Sequence, residues 1–245
     1  MIGRGSVGSV YKIVGNQVIK VVEKTKDDHL EVEALELFRG KDNIVKLRAS
    51  WSDTTHLYMV FPRYTCDMHW WISNGRPLDK RRAIFQVING LREIHDLGYF
   101  HRDIKPLNVL IDHTGTDVVI TDFGWTIPDV KGRLNTYPAY TVSFRAPEIL
   151  KERSYNKSAD IYAVAMLIFY VLNEVTVVNP PSEGELHLHM ALFYQGPMAG
   201  TLRDFKRKCR KWDMSTEEFT MWKRCVNEQP EIRPSIHSLH KFFLQ

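Results

Sequence analysis

The sequence predicts an α+β fold in which strands come first and helices follow. A β-hairpin is indicated by two apolar stretches, Val10 to Val14 and Gln17 to Val22, on either side of the turn pair Gly15-Asn16. Farther along, Arg82 to Leu97 carries apolar residues at helical spacing, and Ser158 to Phe169 is apolar on almost every side, as a buried helix is. The first part of the chain is therefore expected to form a sheet, and the remainder to be mainly helical.

The composition is that of a globular protein with enough apolar material for a core, since 44% of the 245 residues are hydrophobic and 25% are charged. No apolar run approaches the roughly 18 residues that a membrane-spanning helix needs, and the first residues lack the pattern of a signal peptide. We therefore expect an intracellular protein, in the cytoplasm or the nucleus, without a membrane span.

Neither the cysteines nor the net charge points to a further kind of site. Cys66, Cys209 and Cys225 form no Cys-x-x-Cys pair, so a disulfide framework and a zinc site are both disfavoured. The net charge is +4, and much of the excess lies between Arg203 and Lys211. A basic run of this kind is more often a solvated face than a nucleic-acid site, so binding to nucleic acid is not expected.

The first element of the chain is the glycine-rich stretch Gly3-Arg4-Gly5-Ser6-Val7-Gly8, which Val10 follows closely. Glycine lets backbone N–H groups approach phosphates that a Cβ atom would hold away. A dinucleotide-binding fold would open a helix after such a stretch, whereas here the predicted hairpin follows. The pattern therefore favours a phosphate-covering loop between strands, with Val10 able to lie on an adenine face.

The chemistry is concentrated in His101-Arg102-Asp103-Ile104-Lys105-Pro106-Leu107-Asn108. Asp103 can accept a proton from a hydroxyl, Lys105 can offset charge on a phosphoryl group, and Asn108 can supply an oxygen to Mg2+. Asp122 directly follows a predicted buried strand, where a carboxylate is costly unless it meets a cation. Phosphoryl transfer assisted by Mg2+ is the reaction that these groups suit.

Together with Thr121-Asp122-Phe123-Gly124 and Arg145-Ala146-Pro147-Glu148, this stretch resembles the catalytic core of a eukaryotic protein kinase. The resemblance covers essentially the whole chain and implies the bilobal kinase fold. It implies a small antiparallel sheet with one helix over about residues 1–61, a hinge at 62–64, and a mainly helical lobe over about 65–245. It also implies ATP as the phosphoryl donor and Mg2+ as the metal ion.

The resemblance also assigns the catalytic groups. Asp103 and Lys105 are expected to act at the hydroxyl that receives the phosphoryl group. Asn108 and Asp122 are expected to hold the metal ion. Lys20, on the third strand after the hairpin, matches the lysine that reaches the α and β phosphates of ATP.

A glutamate on the next helix is expected to hold Lys20. The helix is predicted from Asp28, as its N-cap, to Phe38, because apolar residues recur there at helical spacing. Glu31 is favoured because apolar residues follow it at i+4 and i+7 on the same face. Glu33 is the open alternative.

Two further strands, Asn43 to Leu47 and His56 to Phe61, are predicted to complete the sheet. By resemblance, Phe61 is the gatekeeper, Pro62 to Tyr64 form the hinge that binds adenine through its backbone, and Leu110 packs beneath the adenine. The residues predicted to bind the nucleotide are Ile2, Gly3, Gly5, Gly8, Val10, Val18, Lys20, Phe61, Pro62, Tyr64, Asp67 and Leu110.

Further features that the resemblance implies are structural. Asp160 is expected to brace the backbone of the catalytic loop. Arg233 is expected to pair with Glu148 in a buried ion pair. The residues expected to form the family's regulatory stack are Leu35, Leu47, His101 and Phe123.

The substrate class is also implied by resemblance. Lys105 and Thr141 match serine/threonine kinases, so serine or threonine of protein substrates is expected to receive the phosphoryl group. Leu107 stands where kinases that prefer basic substrates often have a glutamate, which disfavours arginine-directed specificity. The subfamily is unresolved, since Arg145 resembles the cyclin-dependent and mitogen-activated group and Trp125 the Aurora group. The compact amino-terminal lobe would also suit a viral kinase.

Arg102, next to the catalytic aspartate, is typical of kinases that are activated by phosphorylation of a loop. Thr136 is the predicted site, with Tyr137 as its competitor. Asp129 is a carboxylate that could order the loop instead. An upstream kinase or an activating protein partner is therefore compatible with the sequence.

The alternative function is a catalytically dead kinase that acts as a binding or scaffold module. Members of the family that have lost catalysis usually lack the lysine, the catalytic aspartate or the metal-binding aspartate. Because Lys20, Asp103 and Asp122 are all present, we favour an active enzyme.

Overall fold

An antiparallel sheet of five strands forms the first lobe of the computed structural model, which describes residues 1, 3–4, 8–24, 29–130, 141–151, 154–174 and 213–244. A helix, α1 (His29–Leu37), joins the third strand to the fourth. The strands are β1 (Gly3–Arg4), β2 (Gly8–Ile13), β3 (Gln17–Glu23), β4 (Ala49–Ser52) and β5 (His56–Pro62), in the order β1-β2-β3-β5-β4.

The predicted hairpin is confirmed. β2 and β3 pair antiparallel, with Val10 opposite Lys20. In the turn, Gly15 and Asn16 have φ angles of 76° and 55°, a left-handed region that glycine and asparagine enter at lower cost than other residues. Because β3 lies between β2 and β5, Lys20 is held in the middle of the sheet.

Helix α1 agrees with its predicted span to within one residue at each end. Its apolar side is buried in the core through Ala34 and Leu35, and Phe38 directly after the helix is buried with them. Asp28, the predicted N-cap, lies outside the described residues.

The strand predicted from Asn43 to Leu47 is wrong, since β4 is Ala49–Ser52. The apolar residues of the predicted stretch are buried for another reason. The backbone around Ile44 bonds to Ile120 in the second lobe, where the Val45 N–H donates to the Ile120 carbonyl at 2.9 Å. Their apolarity therefore reflects burial at the junction of the lobes, whereas β4 is mostly exposed and carries little apolar signal.

The second lobe is mainly helical and also contains two small sheets. Strands β6, β8 and β9 form one sheet in the order β6-β8-β9, and β7 pairs with β10 in the other. The elements are β6 (Cys66–Asp67), α2 (Met68–Ser73), α3 (Lys80–Asp96), β7 (Tyr99–Phe100), β8 (Val109–Ile111), β9 (Val118–Ile120), β10 (Ile127–Pro128), α4 (Pro147–Leu150), α5 (Ser158–Asn173), α6 (Thr216–Cys225) and α7 (Ile236–Phe243).

Helix α5 is the centre of this lobe, as its apolar sequence predicts. Every residue from Ala159 to Asn173 is buried. The predicted amphipathic helix is α3, which begins after its N-cap Asp79 and contacts both α5 and α7. Within the described ranges, no helix is long and apolar enough to span a membrane.

The predicted ion pair between Glu148 and Arg233 is confirmed. The guanidinium binds both carboxylate oxygens, with Nη1 and Nη2 each 2.7 Å from an oxygen, and both side chains are buried. Arg233 also lies over the ring of Tyr162 in α5. The pair therefore ties the start of α4 to the segment before α7.

Candidate active site

The carboxylate of Asp103, in the loop between β7 and β8, accepts four hydrogen bonds. Its Oδ2 accepts from Lys105 Nζ at 2.6 Å and from Asn108 Nδ2 at 2.9 Å. Its Oδ1 accepts from the backbone N–H of Thr141 at 3.1 Å and from the hydroxyl of Thr141 at 3.0 Å. A carboxylate offers about four lone-pair positions, so these four donors fill it.

The backbone of the same loop is fixed by Asp160 at the start of α5. The Asp160 carboxylate accepts from the backbone N–H groups of His101 at 2.8 Å and Arg102 at 3.0 Å, and from His95 Nε2 at 3.0 Å. Burial alone would raise the pKa of Asp160, but the bond and the charge of His95 outweigh it and lower that pKa. The expected bracing by Asp160 is confirmed.

This bracing holds an unfavourable backbone conformation. Arg102 has a φ angle of 71° and Asp122 one of 66°, in the left-handed region that residues with a Cβ rarely adopt. Such conformations persist only where surrounding bonds fix them, and they often occur at functional sites. Arg102 directly precedes Asp103 in the chain, and Asp122 bonds Lys20 through its carboxylate.

His101 joins the loop to the residues after β9. Its Nδ1 accepts from the backbone N–H of Asp103 at 3.2 Å, which places the ring proton on Nε2, where it donates to the Thr121 carbonyl at 3.1 Å. The ring packs edge-on against Phe123, with the ring centres 5.0 Å apart. His101 therefore has a structural role, as expected.

Phe123 also contacts α1 through the ring of Phe38, at a centre-to-centre distance of 5.3 Å. Leu35 and Leu47, the other members of the predicted stack, are buried in the same core. The sequence predicts Phe38 only as an apolar residue on the same face as Glu31. Its contact with Phe123 links α1 to the segment that carries Asp122.

Lys20 is held by two carboxylates. Its Nζ lies 2.7 and 2.9 Å from the two oxygens of Glu31 and 3.1 Å from Asp122 Oδ1. The structure thus pairs Lys20 with Glu31, whereas the alternative, Glu33, is exposed.

These charges shift the pKa values of the cluster. Burial alone would lower the pKa of Lys20, but the charges of Glu31 and Asp122 raise it above its ordinary value, so Lys20 stays protonated. Burial would raise the pKa of Asp122, but the charge of Lys20 lowers it.

A cavity of about 540 Å³ lies between the two lobes and contains this cluster. Its walls combine apolar side chains with Lys20, Glu31, Asn108 and Asp122. Nine of the predicted nucleotide-binding residues line it: Gly8, Val10, Val18, Lys20, Phe61, Pro62, Tyr64, Asp67 and Leu110. Gly3 lies in β1, and Ile2 and Gly5 are outside the described residues.

Other lining residues had no nucleotide role in the sequence interpretation. Leu35, Val45, Cys66 and Thr121 face the cavity but have no polar signature that sets them apart in sequence. The predicted strand from Asn43 to Leu47 includes Val45, so the sequence does not predict its position at the junction of the lobes.

Two predicted contacts of the cavity have additional partners. Asp67 caps α2, because its Oδ1 accepts from the backbone N–H of Trp70 at 2.8 Å. The hydroxyl of Tyr64 donates to Asp117 Oδ2 at 3.3 Å. Burial and the charge of Asp117 raise the pKa of Tyr64, so it stays protonated as a donor.

Gly8 has a structural requirement besides its predicted approach to phosphates. A Cβ atom at this position would lie 2.5 Å from the backbone oxygen of Val21 on the neighbouring strand. Close pairing of β2 and β3 therefore excludes a side chain here.

Two oxygen atoms of the site fit a hard cation such as Mg2+. The Nδ2 group of Asn108 is used in bonds to the carbonyl and carboxylate of Asp103, which leaves its amide oxygen for another partner. Asp122 uses Oδ1 for Lys20, and its Oδ2 has no hydrogen bond within the described part of the chain. Mg2+ needs only one or two such ligands, because phosphates and water complete its shell.

The described residues contain no group of three histidine, cysteine, aspartate or glutamate side chains that could hold a metal ion. The amide oxygen of Asn108 and the carboxylate of Asp122 are oxygen ligands of the kind that suits Mg2+. Thr136 and Tyr137, the predicted phosphorylation site and its competitor, lie outside the described residues, as does the basic run from Arg203.

Known proteins that are similar to this chain are protein kinases. The protein kinase domain family matches residues 1–243. Ribosomal protein S6 kinase alpha-1 of Rattus norvegicus is 31% identical over 184 residues, covering 67% of this chain and 24% of the relative. An Aurora kinase of Candida glabrata is 28% identical over 199 residues, covering 74% of this chain and 54% of the relative.

The chain thus spans about a quarter and about half of the length of these two curated relatives. Among solved structures, a chain of the CAK complex from Chaetomium thermophilum bound to ATP-gamma-S has a similar fold, with a TM-score of 0.82 at 21% identity. The match covers 98% of this chain and 87% of that chain.

Proposed function

Because the chain belongs to the protein kinase family, we propose that it transfers the γ-phosphoryl group of ATP to serine or threonine hydroxyls of protein substrates. The observation that carries this proposal is the bond network that joins Asp103, Lys105, Asn108 and Thr141 at the edge of the cavity between the lobes. The network joins a carboxylate that is suited to accept a proton, a cation and an amide that is suited to bind Mg2+, and this combination supports the proposal.

We assign the cavity to ATP. Its apolar walls at Val10, Val18 and Leu110 suit the adenine, and its backbone groups at 62–64 suit the adenine edge. The similar solved chain belongs to a complex bound to ATP-gamma-S, which is compatible with ATP as the ligand of this chain. Residues 62–64 are the proposed hinge between a lobe of about 1–61 and a lobe of about 65–245.

Lys20 is proposed to bind the α and β phosphates. It is protonated, and Glu31 fixes its Nζ within the cavity. When the phosphates enter, Lys20 Nζ must donate to them as well as to Asp122. The bond from Lys20 to Asp122 is then expected to lengthen.

Asn108 and Asp122 are proposed to hold Mg2+ through their free oxygens. When bound, Mg2+ neutralises charge on the phosphates and helps to align them. The strained backbone at Asp122 keeps its carboxylate directed at Lys20 and the cavity.

Asp103 is proposed to accept the proton of the attacking hydroxyl. Because four donors fill its carboxylate, one of them must leave before it can do so. The Thr141 hydroxyl can leave, since the Thr141 N–H still holds Oδ1. Lys105, which lies 2.6 Å from Asp103 and 2.7 Å from Thr141, can then turn to the transferred phosphoryl group.

The bond between Lys105 and Thr141 also supports serine or threonine as the acceptor, because this pair matches the serine/threonine kinases in the sequence. The two relatives named above are by name a ribosomal protein S6 kinase and an Aurora kinase, which supports a protein kinase. Protein substrates, and an activating partner or an upstream kinase, are the proposed partners, with action inside the cell.

A peptide array with Mg2+ and labelled ATP tests the proposal. Peptides should carry serine, threonine or tyrosine at one fixed position, with Asp103→Asn as the matched control. We expect label on serine and threonine peptides from the wild type, and at least about a hundredfold less from the control. ATP binding without transfer to any peptide or protein would favour the alternative, a catalytically dead binding module.

A further inference from the structure

The side chain of Arg102 is buried next to the catalytic loop, with 6% of its surface exposed. Its Nη2 donates to the hydroxyl of Tyr155 at 2.5 Å, and its Nη1 donates to the Trp125 carbonyl at 3.3 Å. Tyr155 lies between α4 and α5 and is itself buried. The guanidinium is thus joined to two segments that are distant in sequence.

Aromatic rings line two sides of this guanidinium. Its Cζ lies 5.9 Å from the ring centre of Phe100 and 5.6 Å from that of Tyr155. The two rings meet edge to face at 6.1 Å. A cation in such a place is stabilised by the ring faces but depends strongly on each hydrogen bond it makes.

Among the described residues, no carboxylate forms an ion pair with Arg102, and its buried Nε has no hydrogen-bond partner. The Tyr155 hydroxyl is the side-chain acceptor that this part of the chain gives to Arg102. Loss of that hydroxyl would deprive a second buried donor of the same cation of its side-chain partner within the described part of the chain.

The backbone of Arg102 needs outside support as well. Its φ angle of 71° is unfavourable, and Asp160 holds its N–H. The two supports, Tyr155 for the side chain and Asp160 for the backbone, lie five positions apart in one segment. Asp103 follows Arg102 directly, so a change in the torsions of Arg102 displaces the catalytic carboxylate.

We propose that Tyr155 is a positioning residue that holds Asp103 in place through the side chain of Arg102. The proposal deepens the proposed kinase function and rests on it for its kinetic test. It predicts that the turnover rate depends on the hydroxyl of Tyr155 itself and not only on the packing of its ring.

Tyr155→Phe removes the hydroxyl and keeps the ring. We expect kcat to fall about tenfold, the effect of losing one hydrogen bond to a charged group, while the KM for ATP changes by less than about twofold. The matched control is Tyr170→Phe, which removes the hydroxyl that bonds His69 at 2.9 Å and does not touch Arg102. The control should keep the wild-type kcat.

A double-mutant cycle separates action through Arg102 from a general loss of packing. If Tyr155 acts through Arg102, Tyr155→Phe should lower kcat no further in an Arg102→Met background. If Tyr155→Phe lowered kcat as much in the Arg102→Met background as in the wild type, the proposal would be overturned. It would also be overturned if Tyr170→Phe lowered kcat as much as Tyr155→Phe, or if Tyr155→Phe left kcat unchanged.

Amide hydrogen exchange gives a test that needs no catalysis. In Tyr155→Phe, exchange of residues 101–104 should become at least about threefold faster than in the wild type, with α5 unchanged. Should that variant not fold, Arg102→Met must show the same local increase. Wild-type exchange at 101–104 in the folded variant would overturn the proposal. A wild-type protein that transfers no phosphoryl group would instead refute the proposed function, and exchange would still decide the role of Tyr155.

Discussion

Glu31 contacts Lys20 with both carboxylate oxygens, at 2.7 and 2.9 Å, across the gap between α1 and the central strand of the sheet. The pair is largely buried, with 8% of the Glu31 side chain and 15% of the Lys20 side chain exposed. A second carboxylate, Asp122, reaches the same Nζ. The position of α1 is thereby coupled to the residues that are proposed to bind phosphates and metal.

The first prediction concerns this pair. Glu31→Gln should lower kcat/KM at least about tenfold, because the lost charge frees Lys20 to turn away from the phosphates. Glu33→Gln, on the exposed side of the same helix, is the control and should keep wild-type kinetics. Steady-state phosphorylation of one peptide measures both. Equal losses in the two variants would contradict the pairing as a catalytic contact.

The second prediction separates the two aspartates of the site. Asp103→Asn should lower kcat by about a hundredfold or more, because it removes the proton acceptor. It should leave Mg-ATP binding nearly intact, because Asp103 is not among the described residues that line the cavity. Asp122→Asn should weaken Mg-ATP binding, because it removes a metal ligand and a partner of Lys20. Calorimetric titration with Mg-ATP and turnover assays distinguish them. The roles would be wrong if Asp103→Asn kept full activity and Asp122→Asn bound Mg-ATP normally.

The third prediction is a stability effect far from the chemistry. Glu148→Gln should lower the free energy of unfolding by about 3–5 kcal/mol, because it leaves the buried guanidinium of Arg233 without its counter-charge. Glu36→Gln is the control, since its ion pair with Arg39 lies on the exposed surface and should contribute little to stability. Urea unfolding measures both variants. A loss of similar size in the two would show that burial does not decide the effect.

The fourth prediction follows from the lowered pKa of Asp160. Its ionised form is favoured in the folded state, so its contribution is complete above the unfolded pKa of about 3.9 and is lost as the pH falls through the folded value. The difference in unfolding free energy between wild type and Asp160→Asn should shrink as the pH falls below about 4. Urea unfolding at several pH values checks this. A difference that does not change with pH would exclude ionised Asp160 as the source.

Much of the fold could be predicted because local spacing carries the information. The hairpin with its Gly15-Asn16 turn, the amphipathic α3 and the apolar α5 each have a pattern within one segment. The prediction of a strand from Asn43 to Leu47 was wrong, because an apolar stretch indicates only that its residues are buried and not which element buries them. Here the second lobe buries it, through Ile120, and no local pattern distinguishes that from a strand.

The sequence by itself determined which groups carry the chemistry, because Asp103, Lys105 and Asn108 lie in one short loop whose spacing brings them together. Only the tertiary structure decided which partners meet them. Lys20 and Asp122 are 102 positions apart, and Thr141 reaches Asp103 from 38 positions away. Tyr155 reaches Arg102 from 53 positions away. Such contacts depend on how the helices and the sheet pack, and packing is set by the sum of many apolar contacts rather than by any local pattern.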